Sequence, residues 1–211
     1  MKTTIITLAI LFGASTYSNA QEEQIVIIEN NVKSFTNGTY LTFDDFDNEN
    51  ISETPILTIK TTDDIAYRFI TPENKKYKKH NVVVHEGIPY FSIIGIIKNF
   101  EKDSKGQGFD GGNYYLKAET VNGNLLFRDY FTSNTAGLLG GLTGTLAARR
   151  QKILLYNPES NKFKLFKNFN SVEEFVTKRF PEKIEYVNLA KNNPDLKEEA
   201  DKVDYVLKNV L

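Results

Sequence analysis

The sequence contains no cysteine and no tryptophan, and it has only two histidines and one methionine. Without cysteine the chain cannot form disulfides, thiolate metal sites or a thiol nucleophile, and it cannot carry a lipid on an N-terminal cysteine. The formal net charge is −1, so the charge balance does not favour binding to nucleic acid or to an anionic membrane surface. We therefore expect any partner to be recognised by a local surface and not by overall charge.

The first twenty residues have the pattern of a secretory signal. A lysine at position 2 precedes an apolar run at residues 5–12, and small and polar residues lead to a predicted cleavage point before Gln21. The apolar run is much shorter than the roughly 18 residues that a membrane span needs. We therefore predict that residues 1–20 are a signal peptide and that the mature chain is exported to the periplasm, the outer-membrane surface or the extracellular space.

From residue 21 to residue 169 the apolar residues come in short runs rich in Ile, Val, Tyr and Phe, separated by Gly, Asn, Asp and Lys. This pattern is typical of strands and turns. Glu86-Gly87 and Asn122-Gly123 predict two hairpin turns, because glycine readily adopts positive φ. A third hairpin is predicted across residues 158–161. The predicted strands cover residues 24–28, 39–43, 56–60, 65–70, 81–85, 90–97, 113–120, 125–131, 153–156 and 162–166.

After residue 169 the apolar spacing becomes helical. Ser171 followed by Glu174 is typical of a capping box, and Pro181 interrupts the helix that it starts. Asn193-Pro194 predicts a cap and a first-turn proline for the last helix. We predict an α+β fold with a mainly antiparallel β-rich domain at residues 21–169, which includes a glycine-rich segment at 136–148, and a C-terminal helical segment at 170–211.

The stretch TAGLLGGLTGTLAARR, residues 135–150, is unusually rich in glycine. It is not a phosphate-binding loop, because no two glycines have the required separation and no Lys-Ser or Lys-Thr follows. Its small residues recur every four positions, which on a helix makes a flat surface that another backbone can approach closely. Its dense apolar part, residues 136–148, would cover only ~20 Å as a helix, short of a ~30 Å hydrocarbon core. The predicted association surface consists of Gly137, Gly140, Gly141, Gly144 and Ala148.

Three further patterns match known motifs only in part. Gly106, Gly108 and Gly111 fit the letters of the dinucleotide fingerprint, but charged residues precede them and a hairpin follows, so a loop is predicted. The acidic stretch at residues 43–50 starts like a calcium loop but lacks its glycine and its bidentate glutamate, so a solvated turn is predicted. His80 and His85 would point to opposite faces of a strand. We therefore predict no cofactor and no metal, and the catalytic residues, if the chain has any, stay unassigned.

Four stretches together resemble a known group of proteins. They are NGTYLTFDDF, GGNYYLKAE, GLLGGLTGTLAARR and LLYNPESNKFKLF. They resemble a family of exported, uncharacterised proteins of Bacteroidota-type bacteria, defined by a domain of unknown function. The resemblance implies an address in the cell envelope and supplies no active-site residues.

The sequence leaves three functions open. The first is a non-catalytic binding or assembly module of the bacterial envelope, whose partner is an envelope protein or a second copy of the chain. The second is a membrane-associated protein attached through residues 130–148, which carry no charge. The third is a hydrolase of unknown substrate that uses carboxylates or His85, although no complete catalytic motif supports it.

Overall fold

The computed structural model describes residues 35–61, 65–104, 107–109, 112–133 and 150–211, all within one compact unit, Asn31–Leu211. The predicted signal peptide and the predicted strand at residues 24–28 lie outside the described residues. The glycine-rich association surface also lies outside them. Its predicted residues are Gly137, Gly140, Gly141, Gly144 and Ala148.

Two antiparallel sheets form the first part of the described chain. The strands are β1 (Gly38–Tyr40), β2 (Thr58–Thr61), β3 (Ala66–Ile70), β4 (Val82–His85), β5 (Ile88–Ser92), β6 (Gln107–Phe109), β7 (Tyr115–Lys117), β8 (Glu119–Val121), β9 (Asn124–Ser133), β10 (Arg150–Asn157) and β11 (Lys162–Phe166). Sheet 1 has six strands in the order β1-β4-β5-β7-β3-β2. Sheet 2 has five strands, with β11, β10 and β9 side by side and both β6 and β8 paired to β9.

Short helices lie between the strands and longer helices follow the last strand, which confirms the predicted α+β class. They are α1 (Phe43–Asp47), α2 (Ile93–Lys98), α3 (Phe169–Arg179), α4 (Ile184–Asn192) and α5 (Glu199–Val210), with 3-10 turns at Lys102–Ser104 and Pro181–Lys183. Among the described residues, no helix combines the length and the apolar character needed to span a bilayer.

The turns of the three predicted hairpins are confirmed, although only Glu119–Val121 of the strand predicted at residues 113–120 pairs across the second turn. The β4–β5 turn has Glu86 at φ 53° and Gly87 at φ 74°, and the β8–β9 turn has Asn122 at φ 46° and Gly123 at φ 81°. A turn with two consecutive residues at positive φ matches the right-handed twist of the flanking strands. This explains why the second turn residue is glycine in both hairpins, since glycine adopts positive φ readily. The third hairpin joins β10 to β11, with five residue pairs in register.

Two predicted strands were wrong where the chain turns into a short helix. The strand at residues 39–43 ends at Tyr40, because the Thr42 hydroxyl accepts the Asp45 amide at 3.0 Å and starts α1. The acidic stretch is therefore not a solvated turn, since α1 buries Phe43 and Phe46. In the same way the strand at residues 90–97 gives way to α2, which Ser92 caps.

Other local predictions were also wrong. Asn168, not Ser171, caps α3, and its Oδ1 accepts the Ser171 amide at 3.1 Å. Asn193 does not cap the last helix, because it caps only a local turn through the Asp195 amide and α5 begins at Glu199. Gly108, placed in a loop by the sequence, lies in β6. The single strand predicted at residues 113–120 is two strands, β7 and β8.

Three clusters of buried apolar side chains hold the described residues together, and the third of them covers the outer face of sheet 1 around Phe69 and Tyr115. The first lies between the sheets and contains a cluster of aromatic rings, in which the Phe91 ring centroid is 5.4 Å from that of Phe43 and 4.9 Å from that of Phe127. The second lies between sheet 2 and the C-terminal helices and includes Leu126, Ile153 and Val203. Since neighbouring residues of a strand face opposite sides, β9 contributes Phe127 to the first layer and Leu126 to the second. The C-terminal helices therefore dock on sheet 2.

Candidate functional site

The chain passes from one sheet to the other at a single residue. Ala118 separates β7, which pairs with β3 and β5 in sheet 1, from β8, which pairs with β9 in sheet 2. Because the Ala118 side chain is small, it leaves space between the two sheets where the chain crosses from one to the other. The result is a cleft between the start of β3, the β7–β8 junction, β9 and α5.

The cleft has a cavity volume of about 300 Å³. Its floor is apolar and its rim is charged. The floor and walls consist of Ile65, Tyr67, Ala118, Leu126, Phe127 and Ile153, and the rim carries Lys117, Glu119, Arg128 and Asp204. A concave, mostly apolar surface with a few polar groups at its edge is the usual form of a ligand pocket.

Arg128 ties the rim to the last helix. Its Nη1 lies 3.0 Å from Oδ1 of Asp201, and its Nη2 lies 3.3 Å from Oδ2 of Asp204, both on α5. Nη1 also donates to the Gln151 side chain at 2.9 Å. A guanidinium group presents its donors in a fixed plane, so these partners hold Arg128 in one orientation at the cleft edge.

Lys208 closes the same network from the opposite end of α5. Its Nζ lies 2.7 Å from Glu119 Oε1 on β8 and 2.9 Å from Asp204 Oδ2. Burial disfavours the ammonium form, but the two carboxylates outweigh it and raise the pKa of Lys208. The rim carboxylates Glu119 and Asp204 are each paired with a cation, and these ion pairs connect sheet 2 to α5.

The two histidines lie in different surroundings. His80 is buried, its Nδ1 is hydrogen-bonded to the Tyr77 hydroxyl, and burial lowers the pKa of its ring. His85 lies at the end of β4 in a second groove of about 310 Å³, and its buried Nδ1 has no hydrogen-bond partner among the described residues. The described part of the chain contains no group of three or more His, Asp or Glu side chains able to hold a metal ion.

A buried carboxylate in sheet 2 was not predicted from the sequence. Asp129 is 3% exposed, and its Oδ2 accepts the Tyr114 hydroxyl at 2.7 Å while its Oδ1 accepts the Tyr130 amide at 2.7 Å. It lies in the stretch of β9 between the residues paired with β8 and those paired with β6. The signal was present in the sequence, because Asp129 alternates with Phe127 and Phe131 on the buried face of one strand.

No family model, curated protein or solved structure matches the chain. Membership of an exported Bacteroidota-type family therefore stays a prediction from the sequence. The cleft and its ion pairs are the basis on which a function can be assigned.

Proposed function

We propose that the protein is an exported, non-catalytic binding or assembly module of the bacterial envelope, and that the cleft at the β7–β8 junction receives its ligand. The observation that carries the proposal is a cavity of about 300 Å³ with a mostly apolar lining inside a charged rim. Removing apolar surface from water gives roughly 25 cal/mol per Å², so an apolar group that enters the cavity gains from the loss of its own contact with water.

The arrangement of the rim supports binding over catalysis. Arg128 and Lys208 each bridge two carboxylates, so three of the charged rim residues, Glu119, Arg128 and Asp204, are held in place by ion pairs. A general acid or base needs a free proton site close to the substrate. The paired rim charges instead orient the ligand and reject ligands whose charge lies in the wrong place. Such a charge would lie next to a rim charge of the same sign that is held in position.

The size of the cleft restricts the group that it receives. A volume of about 300 Å³ is at the lower end of the range for ligand pockets, roughly 300–1,000 Å³. Tyr67 on the wall favours a flat ring, because aromatic pairs gain energy from edge-to-face contact beyond their buried area. The cleft therefore suits one aromatic or branched apolar group, such as a side chain of an envelope protein.

The test combines the address of the protein with the chemistry of the cleft. The mature protein is expected in the envelope or culture medium of the producing cell, with mass spectrometry showing Gln21 as its first residue. Indole, an uncharged aromatic probe, is then titrated into the isotope-labelled mature protein, and NMR shift changes are expected at Ala118 and Leu126. Because Ile65 lies on the cleft wall, Ile65→Glu is expected to weaken indole binding at least ten-fold.

Leu189→Glu is the matched control, since Leu189 is an apolar side chain 54% exposed on α4 and outside the cleft. It should bind indole as the original chain does. Recovery of the protein only from the cytoplasm would contradict the proposed address. Equal weakening by both substitutions, or shift changes confined to another surface, would contradict the proposed site.

A further inference from the structure

Strand β2 forms one edge of sheet 1 and pairs with β3 along its inner side only. No residue in the described ranges forms a backbone hydrogen bond with its outer side. The strand and the residues before it are rich in β-branched side chains, which favour extended structure. Ile56, just before the strand, is 80% exposed, the largest exposure among the large apolar side chains of the described residues.

The register shows which backbone groups point outward. The Phe69 carbonyl accepts the Tyr77 amide at 2.8 Å, so the polar groups of Phe69 point away from β2. Ile59, its partner across the ladder, therefore belongs to a non-hydrogen-bonded pair, because hydrogen-bonded and non-hydrogen-bonded pairs alternate in antiparallel sheets. Ile59 and Thr61 consequently direct their N–H and C=O groups to the open edge.

Two other edges of the sheets are closed by main-chain contacts. Thr39 of β1 donates to the Glu53 carbonyl and accepts from the Ser52 amide, both at 2.8 Å. Phe163 of β11 donates to the Asn99 carbonyl and accepts from the Glu101 amide, both at 2.9 Å. Since open edges invite pairing with other chains, the contrast between these edges and β2 marks β2 as a binding edge.

Two cations lie side by side at this edge. Lys60 of β2 is directly opposite Arg68 of β3, and like charges in that position destabilise a sheet. Neither forms an ion pair with a carboxylate of the described residues. The buried Nε of Arg68 also has no hydrogen-bond partner there. The pair is therefore complementary to a negatively charged group supplied from outside.

We infer that the outer edge of β2 binds an extended, acidic segment of a partner protein by strand addition. The backbone of that segment pairs with Ile59 and Thr61, and a carboxylate in it lies against Lys60 and Arg68. Main-chain hydrogen bonds supply the affinity of such complexes, and side-chain contacts supply the choice of partner. The inference adds a second surface to the proposed binding function and does not depend on the cleft.

The probe is a nine-residue peptide of alternating threonine and valine with one central glutamate, capped at both ends. NMR titration of the mature protein measures its affinity, and amide hydrogen exchange measures the pairing. Binding is expected to slow exchange at Ile59 and Thr61 at least ten-fold. The same peptide with lysine in place of glutamate is expected to bind at least ten-fold more weakly, and Lys60→Glu should abolish the preference, because the introduced carboxylate lies opposite Arg68 and pairs with it.

Lys98→Glu is the charge control, since Lys98 is exposed on α2 and should leave both affinities unchanged. Ile59→Pro removes an outward N–H without removing a β2–β3 hydrogen bond, so it should abolish binding of both peptides. If this variant misfolds, Lys60→Glu still tests the inference, because an exposed side chain changes there.

Three results would overturn the inference. They are absence of binding at millimolar peptide, binding without slower exchange at Ile59 and Thr61, and equal affinity for the two peptides. Protection of the same amides that rises with protein concentration alone would assign the edge to a second copy of the chain instead. The indole titration reports on the cleft and the peptide titration on β2, so either proposal can fail alone.

Discussion

His80 lies before β4 with only 2% of its surface exposed. The Tyr77 hydroxyl is hydrogen-bonded to its Nδ1, and the Tyr115 hydroxyl donates to its carbonyl at 2.9 Å. Burial lowers the pKa of the ring, with the neighbouring Glu53 carboxylate opposing this effect. The ring is therefore neutral in the folded protein at pH 7, and protonating it would leave a charge in a poorly solvated position.

This residue should make stability depend on pH. Because the pKa of His80 is lower in the folded than in the unfolded chain, the unfolded chain binds more protons as the pH falls through about 6.5. Its contribution is present above that pH and is lost below it, with a slope of at most about 1.4 kcal/mol per pH unit. Urea unfolding between pH 7.5 and pH 5 measures the loss.

His80→Gln should unfold at a lower urea concentration at pH 7.5, because it alters the hydrogen bond with the Tyr77 hydroxyl. Its free energy of unfolding should nevertheless depend less on pH than that of the original chain. Leu189→Gln, which changes an exposed and non-titratable side chain, is the control and should keep the dependence of the original chain. A slope that survives unchanged in His80→Gln would assign the pH dependence to other groups.

At the scale of single elements, Tyr156 joins α1 to the β10–β11 hairpin. Its hydroxyl donates to Asp47 Oδ2 at 2.5 Å and lies 2.7 Å from Oδ1 of Asn161, the residue at positive φ in the hairpin turn. Burial and the Asp47 carboxylate raise the pKa of the Tyr156 phenol. The hydroxyl therefore keeps its proton and stays a hydrogen-bond donor at pH 7.

Tyr156→Phe should lower the free energy of unfolding by about 1–3 kcal/mol, because Asp47 loses a hydrogen bond while the ring packing is kept. Tyr205→Phe is the matched control, since the Tyr205 hydroxyl forms no hydrogen bond to the described residues. Urea unfolding at pH 7 measures both. A loss of the same size in the control would show that the effect comes from the ring and not from the hydroxyl contacts.

The sequence predicted the elements whose signals are local and missed those whose signals are not. Asn122-Gly123 was sufficient for a hairpin, because its turn requires positive φ. Helix α2 was missed, because a short apolar run has the same composition in a strand and in a buried helix. Helix α1 was missed, because its five residues are too few to show a helical spacing of apolar residues. Asn168 and Ser171 both suit a cap, and with Asn168 as the cap the helix begins at Phe169, which is buried in the helical layer.

The candidate site could not be predicted, because it depends on distant contacts. Arg128 and Asp201 are 73 positions apart in sequence, and no pattern in either segment indicates the other. Ala118 lies inside a continuous alternating run, which carries no signal that the chain changes sheets. Gly137, Gly140, Gly141 and Gly144 lie outside the described residues, so their predicted role in association stays a prediction.

At the scale of the whole molecule, the helical layer belongs to the same core as sheet 2. Helix α5 buries five residues against it, which are Ala200, Val203, Val206, Leu207 and Val210. At about 2 kcal/mol for each of the four larger side chains, their burial is comparable with the roughly 5–15 kcal/mol total stability of a domain. The C-terminal helices therefore contribute to the stability of the sheets and form part of the same folded unit.

A chain that lacks residues 199–211 should lose its cooperative urea transition, because Leu126 and Ile153 become exposed and Arg128 loses its partners on α5. Far-ultraviolet circular dichroism during urea unfolding measures this. Leu189→Glu, on the exposed face of the same layer, should unfold within about 0.5 kcal/mol of the original chain. A sharp transition in the truncated chain would show that the sheets fold without α5.

Strand β9 has one further consequence for the molecule. Its side chains alternate between two cores, with Phe127 against sheet 1 and Leu126 against the helices. A single sheet therefore separates the two cores. A shift of β9 that relieves crowding in one core creates crowding in the other. Any attempt to enlarge the cleft for a bigger ligand must repack both cores at once, and substitutions at Phe127 and Leu126 must be chosen as a pair.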